Sequence, residues 1–324
     1  MNESMGLCSD LPELLSRASG LQQPLRLFVI APHEQTVLAS AMQAQHLGIA
    51  RVVLVGDERL IRQVADESSI SLEKATILDV KDPMDSANKA AHLVGTGEGD
   101  MLMKGLLPTK SVAQAILDPA NGLRTGNILS HVAIFRPPKL DRLLFMTDSG
   151  INIAPNFSRK LQIVRNAVNA ARHLGLERPR VAMIAAIERL ELPAMPTTLD
   201  AKIVERLATT GMFPDADIQG PLGLDNAVSE LLAQRKGIKG PVAGRADIIC
   251  VPDIESGNIL YKTLTCFAGV EIAGTMMGAK VPVILPSRSD TTQTKLYCIA
   301  LARIMAAGIQ TGQPQIPTSS PSIA

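Results

Sequence analysis

The sequence predicts an α/β protein with parallel sheet, organised as two βα series. Three observations carry that expectation. The strand candidates LRLFVIA, VVLVG, MLM and ADIICV are apolar at consecutive positions instead of at alternate ones. Strands of that kind are buried on both faces, which is the pattern of parallel sheet covered by helices. Between them lie helical stretches of ordinary length. Finally, two apolar runs around Arg136-Pro137-Pro138-Lys139 read as a hairpin, and a second βα series starts after it.

Taken in order, residues 11–19 form a short helix. From residue 25 the βα rhythm begins: strand 25–31, a helix opening at Pro32-His33-Glu34 and closing at Gly48, strand 52–56, helix 57–67, strand 75–80, helix 85–94 and strand 101–103. No GxGxxG follows the first strand. Gly95-Thr96-Gly97-Glu98-Gly99 precedes a strand, so it reads as a helix stop and not as a dinucleotide loop. Lys104-Gly105 closes the fourth strand and a helix follows over 109–117, then a loop over 118–127. The hairpin strands are 131–135 and 140–146. A polar loop containing Thr147, Asp148 and Asn152 leads to helix 158–174. The second series is strand 181–186, helix 199–210, a strand near Ile218, helix 225–234 and strand 247–251. A helix carrying Tyr261 and Lys262 and strands 271–277 and 281–285 follow. The tail 313–324, rich in Pro and Ser, reads as disordered. Two series joined through a hairpin suggest two domains with a cleft between them.

Composition narrows the functions. Lys plus Arg total 32 against 31 Asp plus Glu, so no basic field for nucleic acid exists. Six Phe, two Tyr and no Trp leave few platforms on which bases could stack. No apolar run has the length of a membrane span, and the first fifteen residues or so lack the features of a signal peptide. The four cysteines, Cys8, Cys250, Cys266 and Cys298, have no CxxC spacing and mostly apolar neighbours. They read as buried, reduced thiols of a cytoplasmic protein.

The chemistry concentrates at polar corners following strands, where open α/β sheets take their ligands. Ser287, Arg288 and Asp290 place a hydroxyl, a guanidinium and a carboxylate within four residues, a set suited to an anionic substrate. As ordinary structure the same residues would be a Ser N-cap, a surface Arg and an acid complementing a helix N-terminus. Lys104 ends a strand where it could meet phosphate. Thr147, Asp148 and Asn152 sit in a loop after a strand, where either function or turn capping explains them. Asn258 and Lys262, at i and i+4, share a helix face. Asp253 and Glu255 lie near no His, so no metal site is expected. Asp225-Asn226 reads as a helix cap.

The run GPVAGRADIICVPDIESGNILYKTL, followed by SRSD, resembles the phosphate acetyltransferase and phosphate butyryltransferase family. MLMKGLLPTK at 101–110, GLRTGNILSHVAIF at 122–135 and TDSGINIAPN at 147–156 match it too, closer to the butyryltransferase branch. The resemblance spans about 25–303 in the family's order. It implies a two-domain, isocitrate/isopropylmalate dehydrogenase-like architecture with an interdomain cleft. The last segment then returns to the first domain, giving domains at 1–136 plus 277–324 and at 137–276. It implies reversible acyl transfer: acyl-CoA plus phosphate giving acyl phosphate plus CoA. Ser287 would orient the CoA thiol and Arg288 would stabilise the transition state. Arg124, Ser130 and His131 would line the acyl-phosphate site, although a lone His at a strand start is also an ordinary structural residue.

A free thiol near pH 7 is only a few per cent thiolate, so a base or a positive field must help. Where the acetyltransferase branch has an Asp for this, the sequence has Thr294, which cannot serve. Asp290 is the nearest carboxylate, and two roles stay open for it: base, or charge partner of the helix and Arg288. No prosthetic group is expected, since CoA is a cosubstrate. A homodimer is expected from the resemblance and from an apolar content of 46%. The alternatives are a non-catalytic acyl-CoA or acyl-phosphate sensor, which Thr294 keeps open, and a dehydrogenase of related fold, which the missing dinucleotide fingerprint disfavours.

Overall fold

The computed structural model describes residues 8–310. The expected disordered tail at 313–324 lies outside them. The described residues pack as two compact units, one of 10–126 with 272–310, the other of 127–271 with 8–9. Where the sequence suggested divides at 137 and 277, the packing divides at 127 and 272. The physical reason for the first is the hairpin, whose opening strand stays with its partner.

The N-terminal segment begins with α1 (Leu11–Ser19), capped by the Asp10 carboxylate on the Glu13 amide. Then come β1 (Leu25–Ile30), α2 (Gln35–His46), β2 (Ala50–Gly56), α3 (Glu58–Glu67), β3 (Thr76–Asp79), α4 (Pro83–Gly95), β4 (Met101–Lys104) and α5 (Thr109–Leu117). Side-chain caps fix two of these starts. Asp57 accepts from the Leu60 amide, and Asp82, followed by Pro83 at the first helical position, accepts from Met84 and Asp85. β1 runs parallel to both β2 and β4, and β2 parallel to β3. Leu27, Val29 and Ile30 are fully buried, as a strand covered on both faces requires.

The other unit opens with β5 (Ser130–Phe135) and β6 (Leu144–Thr147), paired antiparallel. It continues with α6 (Phe157–His173), β7 (Arg180–Ile184), α7 (Thr197–Leu207), β8 (Asp217–Leu222), α8 (Leu224–Val228), α9 (Glu230–Arg235), β9 (Ile248–Cys250) and α10 (Ile254–Cys266). Its strand order is β5-β6-β9-β7-β8. Two expectations need correction. The second hairpin strand starts at Leu144 instead of 140, because the Leu140 amide donates to the Pro137 carbonyl at 3.0 Å and so closes a turn instead of joining the ladder. The single helix expected at 225–234 is two helices: Ser229 is extended (φ −125°, ψ 112°), and its hydroxyl caps α9 on the Leu232 amide.

The chain then returns to the first unit with β10 (Ala273–Met277), β11 (Val283–Ile284) and α11 (Thr292–Gln310). β11 pairs parallel with β4 and antiparallel with β10, giving the order β3-β2-β1-β4-β11-β10. α11 packs against α1 and α2. Among the described residues no helix is long and apolar enough to cross a membrane. None of the four cysteines forms a disulfide; Cys8, Cys250 and Cys298 are buried, whereas Cys266 is exposed. Burial pushes the Cys250 and Cys298 thiols up to about 12, so neither carries thiolate near neutrality.

His173, in the last turn of α6, gives the fold a pH dependence. Burial, reinforced by the neighbouring Arg172 charge, pushes its imidazole down to about 4. The unfolded chain takes up this proton at the ordinary histidine pKa, so the folded state loses stability as pH falls from about 6.5 to about 4. The expected loss is on the order of 3 kcal/mol. Urea unfolding across that range should show it for the wild type and a flatter profile for His173→Leu.

Candidate active site

Three parallel strands of one unit end side by side. Ile30 of β1 is in register with Lys104 of β4, and Met103 of β4 with Ile284 of β11. Gly105 makes the passage out of β4 possible. Its amide donates to the Ile30 carbonyl at 2.8 Å, and a Cβ there would lie 2.3 Å from the Ala31 carbonyl oxygen. No side chain fits so close to backbone. Lys104 is therefore held at the strand end, 8% exposed, with Nζ donating to the Gly105 and Leu107 carbonyls at 3.2 and 3.3 Å. No carboxylate pairs with it among the described residues. Burial holds its pKa below the usual lysine range; Glu34 and Asp290 counter this, while Arg288 and Lys295 add to it.

The polar corner after β11 is a closed turn. The Asp290 carboxylate accepts the Ser287 amide at 2.7 Å, and the Asp290 amide donates to the Ser287 carbonyl at 3.1 Å. The Ser287 hydroxyl lies 3.0 Å from that of Ser289. Arg288 projects from this turn and is exposed. The reading of Ser287 as a helix cap is corrected: α11 begins at Thr292, and the Thr291 hydroxyl takes the Thr294 amide at 3.1 Å. Thr294 is buried in the first turn of α11 and its hydroxyl bonds to that of the capping Thr291, so this position carries no acid.

Lys295 was missed by the sequence reading. It is 1% exposed, donates to the Asp290 carbonyl at 2.7 Å and to the Thr36 hydroxyl at 2.9 Å, and pairs with Glu34 at 3.5 Å. The available signal was spacing: Lys295 and Ile299 sit at i and i+4 on a largely apolar helix, which places the lysine on a buried face. Lys104, Arg288 and Lys295 thus stand against Glu34 and Asp290, an excess of positive charge at the strand ends that suits an anion. Arg124 is not bonded to this group. Its backbone bridges to Ala279 and its side chain is exposed.

The other unit gathers a second set where β6 ends. The Thr147 hydroxyl donates to the His131 carbonyl at 2.8 Å, and His131 Nδ1 lies 3.0 Å from the Ser149 hydroxyl, a contact the sequence reading did not anticipate. Asp148 is buried and its carboxylate accepts the amides of Gly150, Ile151 and Asn152 together with the Asn152 side chain. Asn152 also donates to the Leu129 carbonyl, which explains both residues as loop-forming groups. Ser130 is fully buried, and its hydroxyl accepts from Asn166. Gly257 lets α10 approach this loop, since a Cβ would stand 2.9 Å from the Ser149 Cα. The Tyr261 ring then lies 6.3 Å from His131, with Lys262 Nζ 5.4 Å from the Tyr261 centroid. Asn258 is exposed, and Asp253 caps α10 through Ser256. Asp225 and Asn226 join Glu188 and Lys236 in a polar cluster, more than the cap expected of them.

Fold and strand-end charge define an α/β protein whose strand ends suit an anionic ligand. Comparison with known proteins is more specific. The family model described as phosphate acetyl/butaryl transferase matches residues 79–303. The phosphate butyryltransferase of Clostridium beijerinckii is 40% identical over 93% of this chain and 99% of its own length. The phosphate acetyltransferase of Rhizobium meliloti is 38% identical over 90% of this chain and 92% of its own. Among solved structures, a branched-chain phosphotransacylase from Enterococcus faecalis superposes with a TM-score of 0.76 at 32% identity, covering 87% of this chain and 99% of that one. The chain belongs to the phosphate acetyl/butaryl transferase family, and it is an acyltransferase.

A buried lysine without a carboxylate partner costs stability, so its removal separates stability from function. Lys104→Met should raise the melting temperature by about 2–4 °C, which is ~1 kcal/mol for a domain of this size, while lowering activity. Calorimetry beside an activity assay checks both; a lower melting temperature would show that the ammonium is stabilising.

Proposed function

We propose that the chain transfers a short-chain acyl group, acetyl to butyryl, reversibly between CoA and inorganic phosphate at the turn 287–290. The observation that carries this reading is the exposed Arg288 on a turn clamped by Asp290, beside buried Lys104. In the acyl-phosphate direction the thiol sulfur bonds to the acyl carbon. The carbonyl becomes an oxyanion, then the carbon–oxygen bond to phosphate breaks and phosphate leaves with the electron pair. The thiol proton passes to a base or to water. A fixed guanidinium stabilises oxyanion and departing phosphate more than it stabilises the ground state. Ser287 orients the thiol and Lys104 meets phosphate; His131 and Lys262 are further candidate substrate contacts. Arg124 and Asn258, both exposed, are open to substrate; Ser130, Thr147 and Asn152 act mainly by shaping the loop.

The proposal extends to the two-domain, isocitrate/isopropylmalate dehydrogenase-like arrangement with substrates taken between domains, for which the support is the family resemblance. No prosthetic group is required, since a thiol attacking a mixed anhydride needs none. Thiols outside any disulfide support a cytoplasmic site of action. A CoA-release assay with acetyl-, propionyl- and butyryl-CoA plus phosphate tests the reading, with phosphate-dependent release expected. Tight acyl-CoA binding with no turnover of any of the three would favour the sensor instead.

For Asp290 the bond to the Ser287 amide supports a positioning role. Asn retains an oxygen that can accept this bond, so Asp290→Asn should leave the acidic limb of the pH–rate profile in place and cost less than about tenfold in rate. A loss of about 10²–10⁴ together with the acidic limb would instead make Asp290 the general base.

A homodimer is also proposed. On α10 Ile259 is 67% exposed, Phe267 just after the helix is 89% exposed, and Leu260 and Leu264 line a largely apolar groove of about 910 Å³ with Leu224 and Leu231. Apolar surface of that kind is typically covered. Sedimentation should show a dimer at micromolar concentration, weakened by Phe267→Ser; a monomer throughout would contradict it.

A further inference from the structure

Lys295 breaks two local rules at once. A lysine at the fourth position of α11 lies at the positive end of the helix dipole, where a cation is disfavoured. It is also buried to 1% exposure, and an apolar residue of similar volume would be the more stabilising choice there. Glu34 breaks a third rule. It stands at the N-cap position of α2 yet makes no side-chain cap; its carboxylate takes the Thr36 hydroxyl at 2.7 Å and faces Lys295. A helix start without a side-chain cap is less stable than a capped one. Local rules broken together, with no gain in stability, mark a functional arrangement.

What these departures achieve is a tie between two strand ends. Glu34 and Thr36 belong to the connection leaving β1, and Lys295 Nζ reaches from α11 to the Asp290 carbonyl at 2.7 Å. Asp290 is the residue whose carboxylate holds the Ser287 amide, so the lysine grips one end of the turn that carries Arg288. The geometry points to Lys295, anchored by Glu34 and Thr36, as a positioning residue that fixes the 287–290 turn for acyl transfer. Lys295 has no bond to spare for substrate at 1% exposure, and acts through Arg288. This inference rests on the reading of 287–290 as the catalytic turn.

The test is a pair of substitutions made in two backgrounds. Lys295→Met in the wild-type chain should lower kcat by about 10–10²-fold, the scale of an ångström-sized misplacement, with KM for acyl-CoA and phosphate within about threefold. In the Arg288→Ala background, measured at high enzyme concentration, the same change should cost less than about twofold, because two groups acting as a unit are not additive. An equal kcat loss in both backgrounds, or a raised KM with kcat intact, would overturn the positioning role. Should Lys295→Met fail to fold, Glu34→Gln on the opposite side of the tie is read in the same way, and a kcat unchanged by it would count against the inference. Wild-type turnover in Arg288→Ala itself would be a different failure, that of the catalytic turn.

Discussion

The site depends on the register of three parallel strands. β1, β4 and β11 run in one direction with Ile30 beside Lys104 and Met103 beside Ile284, so their carboxyl ends open on the same edge. Everything polar in this unit that faces chemistry hangs from that alignment: Glu34 after β1, Lys104 at the end of β4, and Ser287, Arg288 and Asp290 after β11. A register slip of one residue would send Lys104 to the other face of the sheet. Gly105 guards that register, since its amide and its missing Cβ hold β4 against Ala31.

Charge is then placed where water is scarce. Lys104 and Lys295 are both buried, one held by carbonyls and the other by Glu34, Thr36 and the Asp290 carbonyl. Buried cations interact with an arriving anion more strongly than surface cations do, because little solvent screens them. Their cost is stability, which the apolar core of α11 offsets through Leu296, Ile299, Leu301 and Met305. The same helix therefore supplies the core and presents Lys295 to the turn.

Much of this was legible in the sequence, and the parts that were not have physical reasons. Unbroken apolar runs identified the parallel strands, because burial on both faces leaves little ambiguity there, and α1 and α5 fell at the expected residues. The break at Ser229 was hidden, since Ser is tolerated inside a helix and only its extended backbone shows the second cap. Ser287 looked like a cap because hydroxyl and helix stood close in sequence; Thr291 took the role once the turn closed on Asp290. Lys295, Glu34 and Ser149 were missed because each acquires its partner through tertiary contact. Motif resemblance pointed to the turn 287–290, Lys104 and His131, but could not say which of the neighbouring groups are bonded to one another.

The central claim is that Arg288 acts on charge that develops during acyl transfer. Steady-state kinetics of Arg288→Ala with inorganic phosphate and acyl-CoA varied in turn measure this most directly. The account predicts a fall in kcat of about 10²–10³, the usual cost of one preorganised donor, with both KM values within a few-fold of wild type. An unchanged kcat with a raised KM for phosphate would contradict it, placing the guanidinium in binding alone.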